Sequence, residues 1–224
     1  MLQFPGSGPL WLSIQLALIT TIVLIVLGTP LAWWLARTRS HIKTPIEAIV
    51  ALPIVLPPTV LGFYLLLLLG PRGAIGGWWV DWTGETLTFS FAGLVIASCV
   101  YSLPFVVQPI QNAFEALGRN TLEVAWTLGA KPMDAFFSVA VPQSSRGYLT
   151  AAVMGFAHTL GEFGVVLMVG GNIPKETRVI SIAIYDQVES LNYANAHQLA
   201  AILLGFSFVA LSLLYLINRR WPRT

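Results

Sequence analysis

The chain has 224 residues, of which 56% are hydrophobic and only 10% are charged, and its formal net charge is +2. Soluble domains carry about 25% charged residues, so this composition excludes an ordinary soluble domain and predicts a surface that faces lipid. The net charge gives no sign of nucleic-acid binding, because the basic residues flank hydrophobic segments instead of forming one face. The single cysteine, Cys99, cannot form an internal disulfide and is expected to be a small buried side chain.

Five segments of the chain are long and apolar enough to cross a bilayer, which requires about 20 residues of helix. Backbone polar groups in lipid must bond within their own segment, so these segments are predicted to be α-helices and not strands. The first is too long for a signal peptide and has no basic residue before Arg37, so we expect it to remain as an anchor. The chain is therefore predicted to be an all-α membrane protein, a single transmembrane domain over residues 1–224 with spans at about 10–36, 46–70, 89–113, 147–169 and 197–218.

The positions of lysine and arginine predict the orientation of these spans. If the N-terminus is outside, nine of the 12 basic residues are cytoplasmic and three are external, which fits the positive-inside rule. The opposite topology violates the rule equally clearly. The N-out and C-in arrangement places on the cytoplasmic side Arg37, Arg39, Lys43, Arg119, Lys131, Arg146, Arg219, Arg220 and Arg223, and on the external side Arg72, Lys175 and Arg178.

Prolines are expected to bend the second span, because Pro57 and Pro58 cannot continue its helical hydrogen bonds. Together with Thr59 they are candidates for a gate-forming bend, and a simple kink without a gating role is an equal alternative. The external loop that follows is predicted to place an aromatic belt at the lipid headgroups, made of Trp78, Trp79 and Trp82.

The longest cytoplasmic loop, residues 115–146, has the pattern of two short helices joined by a sharp corner. Its apolar residues recur at helical spacing on both sides of Gly129-Ala-Lys-Pro132. Glycine is common just past the end of a helix, and proline is common in the first turn of the next one. Periodicity alone leaves a second interpretation open, an amphipathic loop that lies on the membrane or on neighbouring helices.

The spacing of Glu123, Ala125 and Gly129, followed by Val139-Ala-Val-Pro142, resembles the cytoplasmic coupling loop of ATP-binding-cassette (ABC) importer permeases. The sequence departs from that pattern at Val124, where a second alanine is usual, and in having valine at 139 and 141. The resemblance implies a type I ABC importer permease fold in which this loop docks on a cytoplasmic ATPase. It implies that the ATPase-coupling residues are Glu123, Ala125, Leu128, Gly129, Ala130, Lys131 and Pro142.

Four further segments resemble molybdate importer permeases: residues 52–62, 70–76, 160–164 and 171–178. Sulfate and tungstate permeases share parts of this pattern, notably the Gly-Glu-Phe-Gly element within the third segment. The last segment, with Ala-Ile-Tyr185 after it, favours molybdate. The resemblance implies import of molybdate by alternating access, and tungstate or sulfate stays open as the substrate.

Glu162 is the only acidic residue well inside a predicted span, and it is a functional candidate because an intramembrane carboxylate is costly. His158 lies four residues earlier, on the same predicted helical face and within pairing reach. Gly164 would allow close helix contact near the pathway. Two roles for Glu162 remain open: organising the gate, and lining the pathway directly.

Three polar residues follow the fourth span on the external side, Asn172, Lys175 and Arg178. They are candidates for contact with a loaded binding protein or for an electropositive mouth, and an ordinary solvated loop is an equal alternative. The next segment, residues 179–191, is too short to cross the bilayer. It is predicted to lie along the outer surface as an interfacial helix, with an apolar face of Ile180, Ile184, Val188 and Leu191.

The sequence predicts a translocation subunit and not an enzyme, with no metal site and no cofactor of its own. It has no Gly-x-x-x-x-Gly-Lys-Ser/Thr loop, so ATP and Mg are expected on a separate ATPase. An autonomous ion-coupled secondary transporter, the alternative from another class, should show internal repeats and broken helices that hold coupling ions. The expected partners are a second copy of the chain, two cytoplasmic ATPase subunits, an external or periplasmic oxyanion-binding protein and the lipid of a bacterial or archaeal inner membrane, with no nucleic acid.

Overall fold

The structure, a computed structural model, describes residues 7–118 and 120–220. Arg119 and Arg223, two of the arginines that predict the orientation, lie outside the described residues. Every regular element of the described part is a helix, as predicted. In chain order the helices are α1 (Ser7–Arg37), α2 (Lys43–Val55), α3 (Pro58–Leu69), α4 (Ala74–Thr83), α5 (Phe91–Ala116), α6 (Asn120–Thr127), α7 (Pro132–Ala135), a π-helical segment (Phe136–Ala140), α8 (Val141–Gln143), α9 (Ser145–Leu160), α10 (Gly164–Gly170), α11 (Ile180–Glu189) and α12 (Tyr193–Arg220).

Three helices within α1, α5 and α12 are long and apolar enough to span a membrane by themselves: Gly8–Arg37, Phe91–Ala116 and Tyr193–Leu213. The other two predicted spans are each divided into two helices. The axes of α2 and α3 are bent by 114°, and those of α9 and α10 by 62°. The described residues therefore hold up to five spans, the predicted number, if each bent pair counts as one.

The break in the second span lies at the two prolines, where the sequence predicts a bend. Leu56 and Pro57 are both extended, with ψ values of 136° and 135°, and Pro58 occupies the first turn of α3. A residue that precedes proline is driven out of the α-helical region, so two successive prolines force both residues out of the helix. The result is the bend of 114° between α2 and α3, which is much larger than a kink within one helix.

The break in the fourth span was not predicted. Helix α9 ends at Leu160, and Phe163 has non-helical torsion angles of φ −133° and ψ −64° before α10 begins. The carbonyl of Glu162, freed by the break, accepts a hydrogen bond from Ser181 Oγ at 2.5 Å. A side chain from another element thus satisfies the backbone group that a continuous helix would have satisfied.

The centre of the molecule is a bundle of α1, α5 and α9. Its core includes the fully buried side chains of Leu35, Val106, Ile110 and Phe114. Helices α5 and α9 approach closely, because a Cβ atom at Gly147 would lie only 2.3 Å from the Cβ of Ala113. Small residues at such crossings allow the close backbone contact that holds membrane helices together. Cys99 is only half-buried and packs against this core.

Helix α11 packs into the protein at its first turn instead of presenting its whole predicted apolar face to the membrane surface. Ile180 and Ile182 are fully buried, whereas Val188 and Leu191 are exposed. The backbone N–H of Ile180 donates to Ser13 Oγ of α1 at 2.8 Å. The prediction of a purely interfacial helix is therefore wrong for Ile180, because this end of α11 is bonded to Ser13 and the neighbouring Ile182 belongs to a buried cluster with Leu16 and Val166.

Candidate functional site

The corner between α6 and α7 has the predicted geometry. Gly129 has φ +91°, the left-handed conformation that side chains disfavour. The N–H of Ala130 donates to the carbonyl of Ala125 at 3.0 Å, which closes the end of α6. Pro132 then occupies the first turn of α7. We name the coupling segment as residues 120–143, from the start of α6 to the end of α8.

The inner side of the coupling segment is joined to the membrane helices by aromatic side chains. The ring of Trp33 on α1 lies 4.9 Å from the rings of both Phe114 on α5 and Phe136 of the segment. Phe114 also contacts Tyr148 of α9, with ring centroids 6.0 Å apart. Aromatic contacts therefore join the segment to α1 and α5, and through Phe114 to α9.

The outer side of the coupling segment is exposed, and it carries most of the residues predicted to contact an ATPase. Leu128 is 83% exposed, although it is apolar and sits at the corner. Ala125 differs from the others, because it is only 9% exposed and packs against the core. Ala130 is half-buried, and the predicted coupling residues with exposed positions are Glu123, Leu128, Gly129, Lys131 and Pro142.

A hydrogen-bonded network joins α2 to α5 near the cytoplasmic side. Gln111 Nε2 donates to Glu47 Oε1 at 2.7 Å and to Glu115 Oε1 at 3.1 Å. Lys43 Nζ lies 3.1 Å from Glu115 Oε1 and 3.6 Å from Glu47 Oε1. Sequence reasoning missed this network, although the spacing of four residues within each of the pairs 43/47 and 111/115 is a signal for it.

Glu162 lies in the break between α9 and α10 and is 3% exposed. Ser98 Oγ on α5 donates to its Oε2 at 2.5 Å. His158 Nδ1 is hydrogen-bonded to Ser102 Oγ at 2.9 Å, and its ring stacks on Phe105 with centroids 3.8 Å apart. The predicted pairing of His158 with Glu162 is wrong, because α9 ends between them and each binds a serine of α5 instead.

The two broken spans lie against each other. A Cβ atom at Gly164, the first residue of α10, would be 2.9 Å from the Cβ of Pro58, the first residue of α3. A Cβ atom at Gly62 would meet Met168 at the same distance of 2.9 Å. The structure thus brings together Pro58 and Gly164, two of the predicted gate candidates, and places Pro57 and Thr59 beside them in the chain.

The external loop after α10 is fixed by its own polar side chains. Arg178 Nε donates to Asn172 Oδ1 at 2.5 Å, and Asn172 Nδ2 donates to Asp186 Oδ1 of α11 at 3.1 Å. Asn172 and Arg178 are consequently half-buried, whereas Lys175 is exposed with φ +71°. Also on α11, Tyr185 Oη donates to Glu189 at 2.6 Å, and this hydrogen bond raises the pKa of the tyrosine.

A cavity of about 570 Å³ opens between α2, α5 and α9 in the half of the bundle nearest the coupling segment. Four polar side chains line it among apolar ones: Gln108 and Asn112 of α5, and Arg146 and Thr150 of α9. Sequence reasoning missed this group as a site. Each pair lies one helical turn apart, but only the packing of α5 on α9 shows that both pairs face one space.

Comparison with known proteins gives consistent similarities. Residues 28–223 match the family described as binding-protein-dependent transport system inner membrane component. The molybdenum transport system permease protein ModB of Azotobacter vinelandii is 60% identical over 208 residues, which cover 93% of this chain and 92% of that protein. A probable sulfate transport system permease protein, cysT of Zygnema circumcarinatum, is 34% identical over 195 residues, which cover 87% of this chain and 67% of that protein.

Two solved structures are similar in fold. A bacterial ABC transporter involved in the import of the acidic polysaccharide alginate matches with a TM-score of 0.78 and 15% identity, over 96% of this chain and 79% of that chain. The MetNI methionine ABC transporter, in inward-facing conformations, matches with a TM-score of 0.73 and 18% identity, over 96% and 95% of the two chains. At these identities the likeness concerns the fold alone.

Proposed function

The chain belongs to the family of inner membrane components of binding-protein-dependent transport systems, and we propose that it is the permease subunit of an ABC importer that moves molybdate into the cell. It has the fold of ABC importer permeases and is a multi-pass protein of the inner membrane. The observation that supports molybdate as the substrate is the 60% identity, over nearly the whole chain, to a protein named for molybdenum transport. The relative named for sulfate transport has 34% identity and makes sulfate the weaker alternative.

The chain performs no covalent chemistry in this mechanism. Two copies enclose the pathway, since five spans make a poor enclosure and two-fold symmetry is the commonest arrangement of identical chains. One ATPase subunit, which carries ATP and Mg, docks on each coupling segment. ATP binding draws the two ATPases together, and a loaded binding protein outside releases its anion when the pathway opens outward. Hydrolysis restores the inward-facing state, and each state is favoured by its own set of contacts.

The structure supports this role for the coupling segment by its two different sides. Exposed apolar side chains such as Leu128 and Met133 offer a docking surface, and such surfaces on a protein are typical of interaction sites. The buried side, through Phe136 and Trp33, connects the segment to α1 and α5. Docking on one side can therefore move the helices on the other.

ATP-driven uptake into proteoliposomes tests the proposal. The vesicles contain the chain with its ATPase and binding-protein partners, ATP inside and radiolabelled molybdate outside. We expect uptake that requires ATP and resists excess sulfate, with vesicles loaded with ADP as the control. Equal competition by sulfate would transfer the substrate assignment to sulfate. Uptake without ATP or without the ATPase would contradict the importer itself and favour an ion-coupled transporter.

A further inference from the structure

We propose that Gln108, Asn112 and Arg146, with Thr150 as support, form a binding site for a tetrahedral oxyanion at the cytoplasmic end of the transport pathway. The inference rests on the proposed import of an oxyanion and assigns residues to it. The four side chains line one cavity between α5 and α9. The helices are held together there, because the backbone of Gly147 on α9 lies close to Ala113 and Pro109 of α5.

The polar side chains of this site are accessible, as binding of a ligand requires, and their polarity is unsuited to contact with lipid. Gln108 is half-buried, and the side chains of Asn112, Arg146 and Thr150 are exposed. Neither carboxamide makes a hydrogen bond within the part of the chain that the structure describes. Gln108, Asn112 and Thr150 lie within the predicted spans, where polar side chains are costly unless they face a water-filled cavity or a partner and where they often mark a substrate path. Arg146 lies at the cytoplasmic end of α9, next to them on the same cavity.

The chemistry of the site suits an anion with several oxygens. Each carboxamide NH₂ offers two donors, and a guanidinium offers a planar fork of donors that matches an oxyanion. Thr150 Oγ1 donates to the carbonyl of Arg146 at 2.9 Å, so the hydroxyl holds the turn that carries the guanidinium. Hydrogen bonds from a charged donor are roughly twice as strong as neutral ones, so Arg146 should contribute most.

One carboxylate lies near this site and would oppose an anion if it were uncompensated. Glu47 lines a smaller neighbouring cavity of about 250 Å³ together with Gln108 and Asn112. Its Oε1 accepts a hydrogen bond from Gln111 at 2.7 Å and lies 3.6 Å from Lys43 Nζ. Gln111 and Lys43 therefore offset part of the charge of Glu47, the one carboxylate that lines a cavity with Gln108 and Asn112 in the described residues, although Lys43 is shared with Glu115.

The position of the site along the helices places it near the end of the route. On α5 the same face continues through Phe105 to Tyr101, and on α9 it continues through Met154 to His158. Phe105 and His158 stack with centroids 3.8 Å apart, and Tyr101 lies 4.7 Å from the histidine ring. These rings lie farther from the coupling segment than Arg146 does, and Phe105 also lines the cavity, so an anion moving inward along this face would pass them before it meets Arg146.

The test measures uptake at saturating loaded binding protein, so that delivery from outside is equal for all variants. Loss of a hydrogen bond from a charged donor predicts a fall in uptake of about tenfold or more for Arg146→Gln. Arg146→Lys, which keeps the charge, should recover most of this loss. The matched control is Arg39→Gln, which removes a cytoplasmic arginine that lines none of the cavity and should leave uptake unchanged. Equal uptake by wild type and Arg146→Gln would overturn the site.

Two further comparisons distinguish failure of the proposed function from failure of the proposed site. If the wild type imports no oxyanion at all, the proposed function fails and the site has no substrate. If the effect of Arg146→Gln disappears in vesicles without anionic lipid, the site holds a lipid headgroup and the assignment to transported anion is wrong.

Tungstate, whose scattering locates it in a crystal of the wild-type complex, provides a measurement that needs no variant. We expect its peak between Gln108, Asn112 and Arg146, and a peak only elsewhere would contradict the proposal.

Discussion

The buried carboxyl group of Glu162 depends on a single serine. Its Oε2 accepts from Ser98 Oγ at 2.5 Å, while Oε1 is buried without a hydrogen-bond partner among the described residues. Such a group is costly in an apolar environment, and the cost rises sharply when its last partner is removed. Ser98 also ties α5 to the break between α9 and α10, next to the hydrogen bonds that Ser102 of α5 makes with His158 and Thr159 at the end of α9.

Ser98→Ala should therefore destabilise the protein by about 1–3 kcal/mol, the cost of leaving a buried polar group unsatisfied. The measurement is thermal unfolding of the purified chain in detergent. Ser190→Ala is the matched control, because Ser190 Oγ donates only to the carbonyl of Asp186 on the exposed end of α11. Equal unfolding temperatures for both variants would show that Ser98 does not support Glu162.

Glu162→Gln separates the two roles that the sequence leaves open. The amide oxygen of glutamine can still accept from Ser98, whereas the side chain can no longer ionise. Near-normal stability and uptake would assign an organising role to the side chain. Normal stability with lost uptake would show that the charge itself acts in the pathway, and it is the less favoured outcome because the carboxylate is 3% exposed.

Contacts between elements determine which parts of the architecture the sequence could reveal. The bend at Pro57-Pro58 and the corner at Gly129 follow from the backbone limits of proline and glycine, so both were predictable locally. The break after Leu160 was not, because it depends on Ser181 and on the contact of Gly164 with Pro58.

The candidate binding site was hidden from the sequence for the same reason. Gln108 and Asn112 can be recognised as one helical face, and so can Arg146 and Thr150. That both faces meet depends on the crossing of α5 and α9, which requires the small residue Gly147 at the contact. The sequence therefore predicts which residues share one face of a helix, whereas the contact between two helices is known only from the tertiary structure.

The contact between the two broken spans leads to a prediction about helix packing. Gly164→Ala would place a Cβ atom 2.9 Å from the rigid ring of Pro58, and overpacking of this kind costs about 1–3 kcal/mol. We expect a lower unfolding temperature and reduced uptake. Gly205→Ala in α12 is the control, because a Cβ there meets nothing within 4 Å and alanine favours helix. The contact would be unimportant if both variants behaved alike.

The distribution of exposed apolar side chains shows how the chain must sit among its surroundings. Large apolar residues remain exposed on α2, α3 and α12, for example Val55, Phe63 and Phe208. Lipid or a second copy would cover these faces. The coupling segment differs, because it lies at the cytoplasmic end under the predicted topology and its exposed Leu128 must meet water or another protein. Under the proposed function this other protein is a separate ATPase.

Reversal of charge on the docking side should weaken this contact. Glu123 is exposed on α6, so Glu123→Lys should leave the chain folded and in the membrane. It should reduce ATP-driven uptake, because a surface complementary to the glutamate would repel the lysine and bind more weakly. Binding of the purified ATPase to the permease in detergent measures the contact directly. Glu85→Lys, an exposed reversal in the loop after α4, is the control. Undiminished ATPase binding by Glu123→Lys would remove Glu123 from the interface.

The corner at Gly129 connects the docking side of the coupling segment with its buried side, and its backbone is the point at which a substitution should uncouple them. Proline fixes φ near about −65°, whereas Gly129 has φ +91°, so Gly129→Pro cannot keep the closed end of α6. We expect the variant to insert in the membrane and to lose most ATP-driven uptake.

The control is Gly84, which follows α4 on the external side and also has a positive φ, of +76°, that proline cannot adopt. Gly84→Pro should therefore damage its own loop without separating ATP hydrolysis from transport. If Gly129→Pro imported normally, the corner would not be needed to carry the motion of the ATPase to the membrane helices.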